Sequence, residues 1–251
     1  MSIFVAFHKE WLELIRSYRL LVVAVVLVFF GLTSPFLTKF TPELLAALPT
    51  EGMTIEMPPP TVGMAIDQYV KNMAQFGVIL GILLTMGTIS QEKDKGTAAM
   101  MLVKPLSRGA FMGAKFLALA TMFAISLVLS GIACYYYTML LFEAMDILRW
   151  LVLNALIFFY TLVPVALTLL CSTLTKSQAA AGGIALGLIV IPGSIGSILG
   201  FGKYLPGELI TWGTRLMQGD TTTSWIAFGI TIGLIVIPLL TAWLIFNRQE
   251  L

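Results

Sequence analysis

The most charged passage of this chain, residues 91–108, is where its side chains could do something other than fill a membrane. It opens with acidic and basic residues in alternation, followed by a Gly-Thr pair, a short apolar stretch and a proline. Gly96 permits a sharp turn, Thr97 can cap a helix, and Pro105 ends one. Residues 98–103 are therefore predicted to form a helix of fewer than two turns.

A helix this short is unstable alone in water, so it needs a surface to pack on. Met100, Met101 and Leu102 supply its apolar side. They could fill a groove on a partner protein, or they could face the bilayer or the chain's own helix ends. Ser107 can cap the helix that follows. We therefore predict that residues 90–110 transfer force from a partner protein to the spanning helices, and we call them the coupling segment.

Residues able to catalyse a reaction are scarce. His8 is the sole histidine, and no apolar stretch carries a pair of carboxylates of the kind that intramembrane proteases need. Ser194 lies in a Gly-Ser-Ile-Gly sequence, but no histidine follows that could activate it. A glycine-rich phosphate loop is also missing. The chain is predicted not to be an enzyme and not to bind ATP itself.

Methionine offers a second, weaker lead. Met53, Met57 and Met64 lie close together in the sequence, and thioethers can hold monovalent copper. Methionines more often serve as packing residues. Cys134 and Cys171 fall inside apolar runs, where small buried hydrophobes are expected, and no histidine, cysteine and carboxylate spacing predicts a metal site.

The composition requires that the elements positioning these residues lie in lipid. The chain is 58% hydrophobic and 11% charged, and its mean hydropathy is +0.94. Soluble domains carry about 25% charged residues. A formal net charge of +2 gives no basis for nucleic-acid binding. We therefore predict a single all-α integral membrane domain over residues 1–251.

Six stretches are long and apolar enough to span a bilayer. They cover residues 20–37, 73–89, 116–141, 151–174, 179–199 and 225–246. Most of the fifteen Lys and Arg residues fall on the side of the N-terminus. By the positive-inside rule that side is cytoplasmic, so both termini and the coupling segment are predicted to face the cytoplasm.

Three flanking segments complete the plan. Residues 1–19 are predicted to form an interfacial helix, the alternative being an extension of the first span. Residues 38–66 form an outer loop, because Pro42, Pro49 and a triple proline disfavour a continuous helix. Residues 192–224 form a re-entrant or outer segment, because Pro192 and several glycines are expected to break the fifth span.

Pairs of glycines recur at four-residue spacing and would let helix backbones approach closely. Gly77 with Gly81, and Gly183 with Gly187, are either packing sites within the chain or sites on a dimer interface. Ionisable residues are missing from the middle of the spans, which disfavours a proton- or sodium-coupled carrier. The spans suit an apolar or amphipathic cargo, or a permease driven from elsewhere.

The coupling segment also resembles a known family. Glu92, Gly96, Thr97, Leu102, Pro105, Ser107, Arg108 and Lys115 follow a pattern that is similar to one in permease subunits of ABC-2-type transporters, including the permease of nitrous-oxide reductase maturation. The resemblance extends to the plan of the whole chain. It implies an ABC-2-type exporter fold with six transmembrane helices and an N-terminal interfacial helix.

The resemblance further implies that the chain dimerises with a second copy or a homologous permease and binds two ABC ATPase subunits. ATP and magnesium would be held by the ATPase, with no cofactor in this chain. Coupling would involve Glu92, Gly96, Thr97, Met100, Met101, Leu102, Pro105, Ser107 and Arg108.

The dimer centre and translocation path would lie at Gly77, Gly81, Gly183 and Gly187. The expected location is the prokaryotic inner membrane, in contact with lipid, and an outer-side partner protein is compatible with this plan. The chain could export a substrate or transmit force. A stand-alone carrier or channel, or an intramembrane enzyme or assembly factor, are the alternatives.

Overall fold

Helices make up the regular structure throughout the described part of the chain. The computed structural model describes residues 3–46, 59–94 and 108–248, and these ranges contain no strand. The helices in chain order are α1 (Ile3–Arg16), α2 (Arg19–Ala46), α3 (Val62–Thr85), α4 (Ser90–Asp94), α5 (Arg108–Leu141), α6 (Ile147–Leu174), α7 (Gln178–Leu199), α8 (Gly207–Met217) and α9 (Trp225–Arg248). A 3-10 turn at Gly202–Tyr204 precedes α8.

Six helical segments are long and apolar enough to cross a membrane, as the sequence predicts. They are α2, α3 together with α4, α5, α6, α7 and α9. The prediction of an all-α membrane protein with six spanning segments is therefore confirmed.

Helix α6 lies at the centre of the bundle. It packs against α3, α5, α7, α8 and α9. Of the most apolar 18-residue stretch of α6, 67% is buried, which is the largest share among the six segments. Asp146 caps its first turn by accepting hydrogen bonds from the backbone N–H groups of Leu148 and Arg149. A helix with neighbours on several sides needs an apolar surface all round, and α6 has one.

Helices α2, α3 and α5 pack beside α6 around Tyr69, Met73 and Phe123, which are fully buried. Polar groups within this core are paired across helices. The Tyr69 hydroxyl donates to Oδ1 of Asn154 at 2.6 Å, and the Ser130 hydroxyl donates to the Leu27 carbonyl at 2.7 Å. Such bonds satisfy groups that would otherwise lie unpaired in an apolar environment.

The N-terminal segment is a separate helix and does not extend the first span. Helix α1 ends at Arg16, and Tyr18 adopts a left-handed conformation with φ of 59° before α2 begins at Arg19. Phe7, Trp11 and Leu14 on one face pack into the core, whereas Phe4, one turn nearer the N-terminal end of the helix, is 78% exposed. Helix α1 therefore fits the expected amphipathic helix, although it covers Ile3–Arg16 and not all of residues 1–19.

The first outer loop was predicted to begin at residue 38, and this boundary is wrong. Helix α2 continues through Pro35 and Pro42 to Ala46, and α3 begins at Val62. Prolines are tolerated in such helices when neighbouring helices support the backbone, and α2 packs closely against α3 and α5. Here the hydroxyls of Ser34, Thr38 and Thr41 each donate to the carbonyl four residues earlier.

The predicted break at Pro192 is also wrong. Helix α7 continues through Pro192 and Gly193 to Leu199, and the chain turns only at Gly200, which adopts φ of 77°. Left-handed glycine is a common helix terminator. Between α7 and α9 lie the 3-10 turn and α8, whose Trp212 packs with Leu156 of α6. The connection is therefore mostly helical and begins later than expected.

Candidate functional site

The coupling segment predicted from the sequence lies between α4 and α5. Residues 95–107 are outside the described ranges, and they contain seven of the predicted coupling residues, Gly96, Thr97, Met100, Met101, Leu102, Pro105 and Ser107. The described flanks carry the other two, Glu92 and Arg108. What the structure defines is how these flanks are attached to the helix bundle.

A buried lysine forms the first attachment. Nζ of Lys115, on α5, lies 2.8 Å from Oε1 of Glu92 and 3.1 Å from Oε2 of Glu10 on α1. Its side chain is only 3% exposed, and the ammonium lies 4.9 Å from the centre of the Phe111 ring. The first and last residues of the family-like pattern, Glu92 and Lys115, are therefore in direct contact.

Two acidic side chains around one buried ammonium carry an excess of negative charge, which Lys9 offsets. Nζ of Lys9 lies 3.0 Å from Oε1 of Glu10 and 3.6 Å from Oε2 of Glu13. Burial by itself would raise the pKa of Glu10, but attraction by Lys115 and Lys9 outweighs it and lowers that pKa below its usual 4.5. For Lys9, burial opposes the charged form, yet Glu10 raises its pKa above 10.5.

The two neighbours of Glu92 on α4 attach to two further helices. Nε2 of Gln91 donates to Oε1 of Gln178, the first residue of α7. Nζ of Lys93 donates to the carbonyl of Thr173, in the last turn of α6, where a cation is favoured by the exposed carbonyls. Three consecutive side chains thus reach α7, the α1–α5 pair and α6.

Ser172 of α6 joins the corner between α3 and α4. Its Oγ accepts hydrogen bonds from the backbone N–H groups of Ile89 at 3.1 Å and Ser90 at 3.0 Å. The same hydroxyl donates to the Met86 carbonyl at 3.0 Å. Since this corner is buried, Ser172 pairs groups that turn geometry leaves without partners in the helices.

Arg108 forms the attachment at the other flank of the segment. Its Nη1 donates to the carbonyls of Phe246 at 2.6 Å and Asn247 at 2.9 Å, at the C-terminal end of α9. The guanidinium lies 5.9 Å from the centre of the Phe246 ring, which stacks on Phe111. Arginine suits this place because it pairs with helix-end carbonyls and with an aromatic face together.

These contacts join both flanks of residues 95–107 to the helix bundle. Within the described ranges, no group of three or more His, Cys, Asp or Glu residues could hold a metal ion. A cavity of about 310 Å³ lies beside the junction, and its lining includes Lys9, Glu10, Glu13, Arg19, Thr88, Glu92 and Lys115. Displacing the first flank of residues 95–107 would strain contacts to α1, α5, α6 and α7, and displacing the second would strain contacts to α9.

The two glycine pairs differ in what surrounds them. Gly77 and Gly81 are buried against α6 of the same chain, and an added Cβ would lie 2.9 Å from Oγ1 of Thr161 and 3.4 Å from Pro164. The alternative of packing within the chain therefore applies to them. Gly183 has no atom within 4 Å of an added Cβ, and beside Gly187 only Ile191 of the same helix comes within that distance. This pair faces away from the described residues.

Sequence reasoning missed Glu10, Gln91, Lys93 and Ser172 as parts of the junction. Of these, only Glu10 left a signal, which matches one at its partner Lys115. Glu10 shares the helical face of Phe7 and Leu14, so an acidic residue lies among apolar ones. Lys115 adjoins a long apolar stretch, where a charge needs a partner. The contacts of Gln91 and Lys93 depend on where α6 ends and α7 begins, which the sequence defines less sharply.

Comparison with known proteins assigns this architecture to a family. The fold is that of a polytopic helical membrane protein with a polar junction that flanks the loop between its second and third spanning segments. A family model of ABC-2 family transporter proteins matches residues 4–251, so the chain belongs to that family. The chain is also 25% identical over 249 residues to a protein of Bacillus subtilis (strain 168) described as uncharacterized transmembrane protein YxlG.

That alignment covers 97% of this chain and 96% of the relative. The resemblance predicted from residues 92–115 is therefore confirmed at the level of the family. The family domain is a membrane component that is not itself catalytic, and members work with ABC ATPase subunits.

Proposed function

We propose that this chain is the transmembrane permease subunit of an ATP-binding-cassette transporter, and that two permease chains assemble with two separate ATPase subunits. ATP and magnesium would be bound by the ATPase, and this chain would turn its movement into substrate export or into force across the membrane. The observation that supports this proposal best is the attachment of both flanks of residues 95–107 to the helix bundle.

The coupling helix would be residues 96–103, with Met100, Met101 and Leu102 in a groove of the ATPase. A push on this helix acts on the bundle through Glu92 at one flank and Arg108 at the other. Since Lys115 is buried, separating it from Glu92 and Glu10 would leave uncompensated charges inside the protein, at a cost of about 3–5 kcal/mol. The helices are therefore expected to move with the segment and not to detach from it.

The permease–permease contact would involve the exposed glycine face of α7, at Gly183 and Gly187. Small residues let helices of two chains approach closely in lipid. Gly77 and Gly81 have no place in this contact, since α6 of the same chain covers them. In this assembly the Glu10–Lys115–Glu92 junction lies on the cytoplasmic side of a prokaryotic inner membrane.

The experiment is to purify the tagged chain from cells that also produce the ABC ATPase subunits of its own genome. We expect the ATPase to co-purify in equal amount. Leu102→Asp and Met101→Asp should each abolish co-purification, because a carboxylate would be buried in an apolar groove. Tyr204→Asp is the matched control, since Tyr204 is exposed and lies in the connection before α8.

Retention of the ATPase by both aspartate variants would show that residues 96–103 are not the coupling helix. A tagged wild-type chain that carries its ion or solute without any ATPase would instead support the stand-alone carrier.

A further inference from the structure

A second cavity lies at the other end of α2 and α3 from the Glu10–Lys115–Glu92 junction. Its volume is about 280 Å³, close to the lower limit for small-molecule sites. It is lined by Thr38, Thr41, Pro42, Pro60, Met64, Asp67, Gln68 and Lys71. About 20 residues of α2 separate Arg19 from this cavity, which corresponds to roughly 30 Å along the helix.

The two threonine hydroxyl groups that line this cavity donate their protons to backbone carbonyls of α2. Oγ1 of Thr38 donates to the Ser34 carbonyl at 2.9 Å, and Oγ1 of Thr41 donates to the Leu37 carbonyl. A hydroxyl whose proton is engaged can still accept hydrogen bonds through its lone pairs. Both threonines therefore present acceptors to anything that enters.

Asp67 adds a full negative charge to this set of acceptors. Its side chain is half-buried, and it makes no ion pair or hydrogen bond with the described residues, including Lys71 one turn later on the same helix. Gln68 donates one N–H to Oδ1 of Asn72 at 3.4 Å, which leaves its carbonyl oxygen as a further acceptor.

We propose that this cavity binds a protonated primary amine carried by a small amphipathic ligand. An ammonium group offers a positive charge for Asp67 and three N–H donors for the surrounding oxygens. Pro42, Pro60 and Met64 provide the apolar wall along which an alkyl group would lie. An anion would meet the carboxylate, and a quaternary ammonium would lack the donors that the threonines require.

The test uses the full-length chain in phosphatidylcholine nanodiscs and butylammonium chloride as the probe, followed by isothermal titration calorimetry. We expect saturable binding, and binding of butyltrimethylammonium weaker by about tenfold because its N–H donors are missing. Asp67→Asn should weaken butylammonium binding by about tenfold or more. Glu43→Gln is the matched control, because it removes an exposed carboxylate near the same end of α2.

A second variant, Thr41→Val, tests the acceptors without changing the charge, and it should weaken binding severalfold. Nanodiscs with phosphatidylethanolamine identify the source of the amine. Competition by that lipid assigns the site to a lipid headgroup, and unchanged butylammonium affinity assigns it to a soluble amine. Either result supports the amine site.

Three results would overturn the proposal. They are the absence of saturable binding to the wild type, equal binding by Asp67→Asn and the wild type, and binding that appears only in Lys71→Met. The last would mean that Lys71 itself serves as the counter-ion. The assay contains no ATPase subunit, so its outcome is independent of whether the chain couples to one.

Discussion

At the scale of single residues, Lys115 carries the greatest consequence. It is buried and its charge is shared by Glu92 and Glu10, which lie on different helices. The family-like pattern in the sequence contains both Glu92 and Lys115, and the fold brings these opposite charges from its two ends into contact. Glu10 could not be linked to them from sequence because 105 residues separate it from Lys115.

Replacing Lys115 with methionine should destabilise the protein strongly. Methionine keeps the volume but leaves two acidic groups without their shared cation, which is expected to cost about 3 kcal/mol or more. Thermal unfolding in detergent micelles measures this loss. Lys203→Met is the control, because Lys203 is exposed in the connection before α8, and it should change stability by less than about 0.5 kcal/mol. Equal stability of the two variants would contradict the importance of the buried pair.

The lowered pKa of Glu10 makes stability depend on pH on the acid side. The free energy gained from its charged form is present above its usual pKa of 4.5 and is lost as the pH falls through the lower pKa of the folded protein. Unfolding followed between pH 7 and pH 3 should therefore show a smaller acid-induced loss in Glu10→Gln than in the wild type. Parallel pH curves for the two proteins would rule out this role.

At the scale of elements, α4 matters more than its length suggests. It has only five residues, yet Gln91, Glu92 and Lys93 contact α7, the α1–α5 pair and α6. A helix this short is held by its neighbours and not by its own hydrogen bonds. Ser172 fixes its first turn, so the orientation of α4 follows the C-terminal end of α6.

Ser172→Ala should loosen this corner specifically. Two buried N–H groups lose their acceptor, at a cost of about 1–3 kcal/mol, and the amides of Ile89 and Ser90 should exchange with solvent faster. Hydrogen exchange with mass spectrometry reads both effects. Thr121→Ala is the control, since the hydroxyl of Thr121 bonds the Leu117 carbonyl in its own helix and no other helix of the described ranges. Unchanged protection at residues 89–90 would contradict the assigned role.

The elements also show how far the sequence could predict the fold. Hydropathy located all six spanning segments, because the need to match a bilayer leaves a strong signal. The predicted ends of α2 and α7 lie too early in the chain, because proline does not end either helix. In α2, hydroxyl groups of Ser34, Thr38 and Thr41 bond nearby carbonyls, and α7 continues through Pro192. Contacts between distant helices, such as Lys93 with Thr173, require the packed bundle and leave no local pattern.

At the scale of the whole molecule, α7 stands at the edge of the bundle. Only 22% of its most apolar 18-residue stretch is buried, and Gly183 and Gly187 lie on the side that faces away from the described residues. The central helix α6 has the opposite character and holds Gly77 and Gly81 of α3 in close contact. The two glycine pairs therefore allow association between chains to be separated from folding within a chain.

Gly183→Leu and Gly77→Leu should have different effects. The first fills open space, so it should weaken association of two permease chains while leaving thermal unfolding of the single chain unchanged. The second forces a side chain against Thr161, so it should lower the unfolding temperature. Cross-linking in membranes and thermal unfolding measure the two properties. If neither variant weakened association, the contact between chains would lie elsewhere on the molecule.

The most direct measurement of the central claim is the movement of α1 when the assembled complex binds ATP. Phe4→Cys carries a spin label on an exposed site of α1, in a chain with Cys134 and Cys171 replaced by alanine. Double electron–electron resonance then gives the label-to-label distance between two chains bound to their ATPase subunits. We expect ATP with vanadate to shift this distance, and Glu92→Gln to abolish the shift while the ATPase stays bound. A shift that persists in Glu92→Gln would contradict transmission through the Glu92–Lys115–Glu10 junction.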